Sequence, residues 1–469
     1  MAVKLKEKQN KVMRWIQAQP ARIILVSFIL VIAIGTLLLS LPFATVSGRS
    51  SGLLTALFTA TSATCVTGLV IHDTAIYWSA FGKGTILALI QIGGLGLVTV
   101  TTFFYILLRR KASLRTMIVA QESVANFEFS DVLHLIRRIV LITFSVELAG
   151  AVLLAWRMVP VYGWRDGILK GIFQAVSAFC NAGFDPHGDV SGPFSSLTAW
   201  NDDPVLLLLT SLLIIIGGLG FVVWSDLLSW PKQRQLNFHS RVVLIMTGLL
   251  ITAGTVFFFL TEADNTSHLQ AMGSLPAAQR PMAAFFQSVT TRTAGFNSID
   301  QSSLTASSKF MSVMLMVIGA APGSTGGGIK VTTFAVILAT VISDMKRRQD
   351  IVIFRHRLAR EIFTRAFAVM GLAMALILGG TLLLTITERA AVAAGQLRFL
   401  DLLFETVSAF ATVGLSAAGT SNLQPASLVV LIPIMLIGRV GPAAFAISLA
   451  VGNDGRRDIV YPAGRTIVG

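Results

Sequence analysis

The chain has 469 residues, 54% of them hydrophobic and 13% charged, with a mean hydropathy of +0.75 and a formal net charge of +14. Several uninterrupted apolar runs reach about 20 residues, the length a helix needs to cross a bilayer. That excludes a soluble core and requires spans that satisfy their own backbone hydrogen bonds.

The basic stretch 1–22 lacks a short apolar core followed by a small-residue cleavage site, and is expected to be a cytoplasmic tail. Apolar runs then come in pairs. Ile23 to Leu41 pairs with Thr85 to Leu108, Ile139 to Val159 with Val205 to Leu228, Val242 to Leu260 with Phe310 to Ile342, and Ala366 to Ile386 with Leu428 to Val451. Basic residues gather between the pairs, at Arg109 to Arg138, Lys232 to Arg241 and Lys346 to Arg365, and again in the C-terminal "NDGRRDIVYPAGR". Lys and Arg beside spans mark the cytoplasmic side, which accounts for the charge without a nucleic-acid ligand and puts both termini inside.

The expected fold is therefore an all-α polytopic membrane protein of eight spans. It divides into the tail 1–22, pore repeats at 23–108, 109–228, 229–345 and 346–452, and a cytoplasmic tail at 453–469.

Between the two helices of each pair lies a short apolar stretch ending in glycine. The four read "TSATCVTGL", "VSAFCNAGF", "VTTRTAGFN" and "VSAFATVGL". Their glycines, Gly68, Gly183, Gly295 and Gly414, are 115, 112 and 119 residues apart, which makes a fourfold internal repeat. Each stretch is too short to span and reads as a re-entrant half-helix followed by a loop. The helix after each loop carries "QIGGLG", "IIGGLG", "VIGAAPGSTGGGIK" or "LIGRVG". The first glycine of these motifs follows the loop glycine by 25, 34, 24 and 24 residues, and Arg439 takes the slot of Gly94 and Gly218.

Four such loops around one axis offer a ring of backbone carbonyls, the oxygens that replace the water shell of a monovalent cation without trapping it. Glycine frees the backbone to turn neighbouring carbonyls inward. The expected filter is Val66, Thr67 and Gly68; Asn181, Ala182 and Gly183; Thr293, Ala294 and Gly295; and Thr412, Val413 and Gly414.

The hairpin repeats, the loops "TATSATCVTGL", "SAFCNAGF", "TRTAGFNSID" and "FETVSAFATVGL", and the segments "GSTGGGIK" and "LIGRVGP" resemble the Trk/Ktr/HKT superfamily of potassium uptake proteins over nearly the whole chain. The short N-terminal tail makes the chain similar to the KtrB branch. The resemblance implies a homodimeric potassium-translocating subunit of the plasma membrane, attached to a KtrA-type cytosolic ring that binds ATP or ADP. In this family four filter glycines accompany potassium selection and serine at the first accompanies sodium, so Gly68 implies potassium, with sodium as an activator or coupled ion. The chain itself needs no cofactor, and membrane lipid is its other expected partner.

The glycine-rich run falls within the bilayer below the filter, where irregular backbone survives only beside protein or water. The resemblance implies an intramembrane gate made of Gly319, Pro322, Gly323, Ser324, Thr325, Gly326, Gly327, Gly328 and Lys330, with Arg439. A cation midway along an apolar helix is costly. Arg439 therefore either tethers the loop below the filter or pairs with Glu147, the other deep charge. Asp73, Asp185 and Asp300 follow filter glycines and read as outer-mouth acids, and Arg292 with Glu405 as an ion pair behind the filter. The segment "GSTGGGIKVTT" fails as a phosphate loop because Ile329 precedes Lys330 and Val331 follows it. An alternating-access, sodium-coupled cation symporter is the competing reading.

Overall fold

The structure, a computed structural model, describes residues 20–96, 132–348 and 350–449. The expected cytoplasmic tails, except for residues 20–22, together with residues 97–108 of the expected span from Thr85 to Leu108, residues 109–131 of the connector from Arg109 to Arg138, and residues 450–451 of the expected span from Leu428 to Val451, lie outside the described residues.

The first quarter supplies α1 (Pro20–Ser40), the short α2 (Leu53–Cys65) and α3 (Ala80–Leu95). In the second, α4 (Val132–Phe179) is two limbs meeting at Gly163, whose φ of 80° lets the chain reverse there. It is followed by α5 (Pro204–Gly218) and α6 (Phe221–Gln233). The third contains α7 (Phe238–Glu262), the short α8 (Arg280–Thr290), α9 (Ala306–Val317) and α10 (Val331–Met345). A small hairpin, β1 (Val352–Ile353) with β2 (His356–Arg357), leads to the fourth. There α11 (Arg360–Thr387) precedes the short α12 (Phe399–Phe410), α13 (Pro425–Val440) and α14 (Pro442–Leu449).

Among the described residues four helices are long and apolar enough to cross a membrane, or six if each bent pair counts as one span. Their exposed faces are apolar, with Leu37 68% and Leu30 58% exposed on α1, as a surface against lipid rather than water requires. The short helices lie inside. Residues Phe58 to Cys65 of α2 are all buried, and their hydroxyls, on Thr59, Thr61, Ser62 and Thr64, face protein. Sequence and burial agree: long Leu- and Ile-rich helices make the wall, and short Thr-, Ser- and Ala-rich ones make the centre.

Each outer corner is closed by a carboxylate or hydroxyl. Glu262 at the end of α7 accepts from the Thr305 N–H at 3.0 Å, and Glu388 after α11 accepts from the Gln424 N–H at 2.7 Å. Each satisfies a free donor at the start of the returning helix of its hairpin, α9 and α13 respectively. Asp203 caps α5 in the same sense, accepting from the Val205 and Leu206 N–H groups.

Composition alone reads Val205 to Leu228 and Leu428 to Val451 as straight spans. Both are bent in the structure, by 98° between α5 and α6 and by 99° between α13 and α14. The hinges are Gly220 and Gly441, with φ of 88° and 95°, a conformation that a side chain disfavours. They are the last glycines of "IIGGLG" and "LIGRVG", and Gly96, ending "QIGGLG" at the close of α3, has φ 79°. The third quarter breaks more widely, at the 318–330 segment between α9 and α10.

Candidate functional site

Three of the four short helices end with the same backbone device, and the fourth with a close variant. Val66 has φ 58°, its N–H donates to Ala63 O, and the next N–H, of Thr67, donates to Ser62 O at 2.8 Å. This is a Schellman cap with valine in the left-handed position that glycine usually holds. Asn181 and Thr412 repeat it, with Ala182 and Val413 donating to Ser177 O and Ser408 O at 2.7 and 2.8 Å. Thr293, φ 71°, takes the corresponding place in the third quarter, where Ala294 donates to Thr290 O at 3.0 Å. A left-handed residue two before each loop glycine, then a left-handed glycine, alternates the backbone so that it leaves the helix end extended rather than coiled.

Side-chain hydroxyls hold that exit. Ser62 Oγ accepts from the Gly68 N–H at 3.1 Å and Ser408 Oγ from the Gly414 N–H at 3.0 Å. Ser177 Oγ and Thr290 Oγ1 instead donate to Phe184 O and Phe296 O at 2.6 and 2.5 Å. These residues escape a reading fixed on the glycines, although serine six before the glycine is visible in three of the four aligned loops.

The loop glycines meet in a closed cyclic order. A Cβ placed on Gly68 would lie 2.4 Å from Ala182 O and 3.0 Å from Gly183 Cα, and one on Gly183 would lie 2.9 Å from both Ala294 O and Gly295 Cα. From Gly295 the contacts are Val413 O at 2.3 Å and Gly414 Cα at 3.3 Å, and from Gly414 they are Thr67 O at 2.2 Å and Gly68 Cα at 2.9 Å. The ring thus runs 68, 183, 295, 414 and back to 68. On its outer side is a cavity of about 340 Å³ lined by all four glycines and by Asp73, Asp185 and Asp300.

Below the ring lies a layer of helix breaks. The first glycine of three motifs packs on a short-helix end: Cβ atoms at Gly93, Gly217 and Gly438 would lie 2.0, 1.9 and 1.8 Å from Thr64 O, Phe179 O and Phe410 O. Each of those carbonyls belongs to the residue four before a loop glycine. The breaks leave backbone groups that lipid cannot satisfy, and the 318–330 segment supplies partners for one of them. Ala321 and Thr325 N–H groups donate to Gly218 O at 3.0 Å and Gly217 O at 3.3 Å, and Gly323 O accepts from the Phe221 N–H at 3.0 Å.

The segment is closed at its base by Gly319 N–H to Ile329 O, 2.8 Å, and Val331 N–H to Ala320 O, 3.2 Å. Its glycines sit directly under the loops. A Cβ on Gly326 would lie 2.2 Å from Thr293 Oγ1, and one on Gly327 would lie 2.2 Å from Thr412 Oγ1. Pro322 stands at the turn, its carbonyl 2.7 Å from where a Gly220 Cβ would be, and Ser324 Oγ donates to Ala321 O at 2.6 Å.

Two cations hold adjacent carbonyls of this segment. Arg439 donates to Thr325 O and, from its other terminal nitrogen, to Gly93 O and to Gly94 O at 3.4 Å. Lys330 Nζ donates to Gly326 O at 2.7 Å. Arg439 therefore ties the end of α3 in the first quarter to the glycine segment of the third. Beneath them a second cavity of about 340 Å³ is lined by Gly323, Ser324, Gly326, Lys330 and Arg439.

Glu147 is not paired with Arg439. Its carboxylate accepts from Gln91 Nε2, 3.1 Å to each oxygen, and from Cys180 Sγ at 3.7 Å. Nor do Arg292 and Glu405 meet. Glu405 accepts from Ser416 Oγ at 2.7 Å and Thr420 Oγ1 at 2.5 Å, bracing the segment after Gly414. The buried Nε of Arg292 has no hydrogen-bond partner among the described residues.

The TrkH family profile, described as "Cation transport protein", matches residues 4–454. The chain belongs to the TrkH family. Among relatives, the Ktr system potassium uptake protein B of Bacillus subtilis is 37% identical over 98% of this chain and 99% of that protein. Its namesake from Vibrio alginolyticus is 38% identical over 92% of this chain and 91% of that one. The potassium/sodium uptake protein NtpJ of Enterococcus hirae is 36% identical over 96% of this chain and 97% of that one. The crystal structure of the potassium transporter TrkH from Vibrio parahaemolyticus superposes with a TM-score of 0.67 at 17% identity, covering 90% of this chain and 84% of that chain. The fold of this TrkH family member is accordingly that of a polytopic membrane protein with four helix, re-entrant loop, helix repeats.

Proposed function

We propose that this chain is the potassium-translocating subunit of an uptake system in the plasma membrane, with its filter at the ring of Gly68, Gly183, Gly295 and Gly414. The closed cyclic order of those glycines is the observation that carries the reading. A partly dehydrated alkali ion needs oxygens from several sides, and the carbonyls preceding the glycines alternate with them around one line. The names of the curated relatives, two of them potassium uptake proteins and one a potassium/sodium uptake protein, support potassium as the cargo and leave sodium a part in transport.

The gate is the 319–330 segment with Arg439. It lies between the outer and inner cavities, directly below the ring, and its tip is held by hydrogen bonds that a moderate displacement can break. Release by a cytosolic ring partner of KtrA type, responding to ATP or ADP, fits the "Ktr system" name of two relatives. A homodimer with both termini cytoplasmic completes the assembly.

Rubidium and sodium flux into liposomes holding this chain, alone and then with its ring partner and nucleotide, tests the reading. Rubidium uptake inhibited by potassium, exceeding sodium uptake and rising with the partner, is expected. Flux indifferent to the cation, or none with the partner and nucleotide present, overturns it.

A further inference from the structure

Helices α7 and α10 pack side by side, and where α10 ends they leave a groove of about 220 Å³. Its walls are apolar: Ile245 is 50%, Leu338 41% and Ile342 42% exposed, and Phe354, from the turn of the small hairpin, also lines it. Lys346 and Arg348, just past the end of α10, complete the lining.

These two cations are fixed on structured backbone rather than on a free loop. The Lys346 N–H donates to Ile342 O at 3.1 Å and the Arg348 N–H to Ser343 O at 2.9 Å, so the turn is folded onto the helix end. Of the two nearby acids in sequence, Asp344 and Asp350, the latter is taken by Arg357 Nε at 2.8 Å. Both helices reach the membrane surface here, since α7 begins at Phe238 beside the basic run Lys232 to Arg241 and α10 ends at Met345. The groove therefore straddles the boundary between hydrocarbon and headgroups, with an apolar slot on one side and two positive charges on the other. A ligand that matches both halves is an anionic amphiphile.

We propose that this groove holds one anionic glycerophospholipid, with an acyl chain between α7 and α10 and its phosphate between Lys346 and Arg348. The site depends on the chain spanning a membrane and not on which cation it carries, so its test leaves transport aside.

Native mass spectrometry of the full chain in detergent, titrated with phosphatidylglycerol or with phosphatidylcholine of the same acyl chains, reads the site directly. The wild type is expected to retain one phosphatidylglycerol per chain in preference to phosphatidylcholine. The K346Q/R348Q double variant, whose side chains are exposed, should bind phosphatidylglycerol on the order of 10- to 30-fold more weakly and lose the preference. Ala339→Phe, which fills the slot and leaves both charges, should lose the retained lipid with the thermal midpoint preserved. Equal retention of the two lipids by the wild type, or an undiminished preference in K346Q/R348Q, overturns the proposal. So does efficient disulfide dimerisation of Leu338→Cys in native membranes, because it would assign the groove to a second copy of the chain.

Discussion

Arg439 joins three carbonyls from two other quarters of the chain, Thr325 O, Gly93 O and Gly94 O. A hydrogen bond to a charged donor contributes about 1.5–3 kcal/mol, and a shift of that size moves a closed-to-open equilibrium by at least about tenfold. Arg439→Ala is therefore expected to raise maximal rubidium uptake by about tenfold with the rubidium-to-sodium ratio unchanged. A changed ratio at constant maximal uptake would assign the arginine to holding the ring instead. At the outer mouth, burial first and then the Asp73 carboxylate push Asp185 up to about 7, against the opposing pull of the His187 N–H and Lys170, while Asp189 adds to the rise. His187 is held down to about 3 by burial and by Lys170, so it stays neutral across the physiological range. Asp185 is thus neutral below about pH 7 and negative above, so the proposed outer mouth should attract cations more strongly as pH rises. Uptake at sub-saturating rubidium should climb between about pH 6 and 8 and flatten in Asp185→Asn. Stability runs the other way: a carboxyl raised in the fold contributes fully below its unfolded pKa, and that contribution is lost as pH rises through about 7.

At the scale of elements, the glycine segment answers a need created elsewhere. The break between α5 and α6 frees Gly217 O, Gly218 O and the Phe221 N–H, and the segment pairs with all three. Its close approach to the loops above leaves no space for a methyl at Gly326 or Gly327. Gly326→Ala or Gly327→Ala should displace the segment, lower stability by roughly 1–3 kcal/mol and raise uptake without the ring partner by on the order of tenfold. Ser324→Ala, which loses only the bond to Ala321 O, should leave that uptake near the wild-type level. Reduced basal flux in well-folded Gly326→Ala would remove the segment from gating. The sequence shows that this segment breaks a helix, because glycine and proline are legible there. It does not show that α5 and α13 break as well, because "IIGGLG" and "LIGRVG" are short enough to pass for close-packed helix, and only the φ of Gly220 and Gly441 separates the two readings. The left-handed Val66, Thr293 and Thr412 were illegible for a stronger reason: β-branched residues disfavour that conformation by about 1–2 kcal/mol, so local preference points away from what tertiary packing imposes.

Across the described residues the apolar surface faces outward and the hydroxyl-rich short helices face inward; the apolar runs foretold spans against lipid, whereas the burial of the hydroxyls emerges only in the fold. Each quarter is unlike the others in detail, yet each contributes one glycine, and the contacts from Gly68 to Gly183, Gly295, Gly414 and back to Gly68 close within a single chain. No second chain is required to complete the ring. If two copies associate, the proposed reading gives each its own pathway, so damage in one should leave the other intact. Gly295→Val sets a side chain against Val413 O and should abolish flux, as should valine at any of the other three glycines, since a ring fails at whichever member is blocked. Liposomes made from mixtures of wild type and Gly295→Val chains should then show rubidium uptake falling in direct proportion to the wild-type fraction. A fall with the square of that fraction would mean that two chains build one pathway between them, and the ring would not be the conduit.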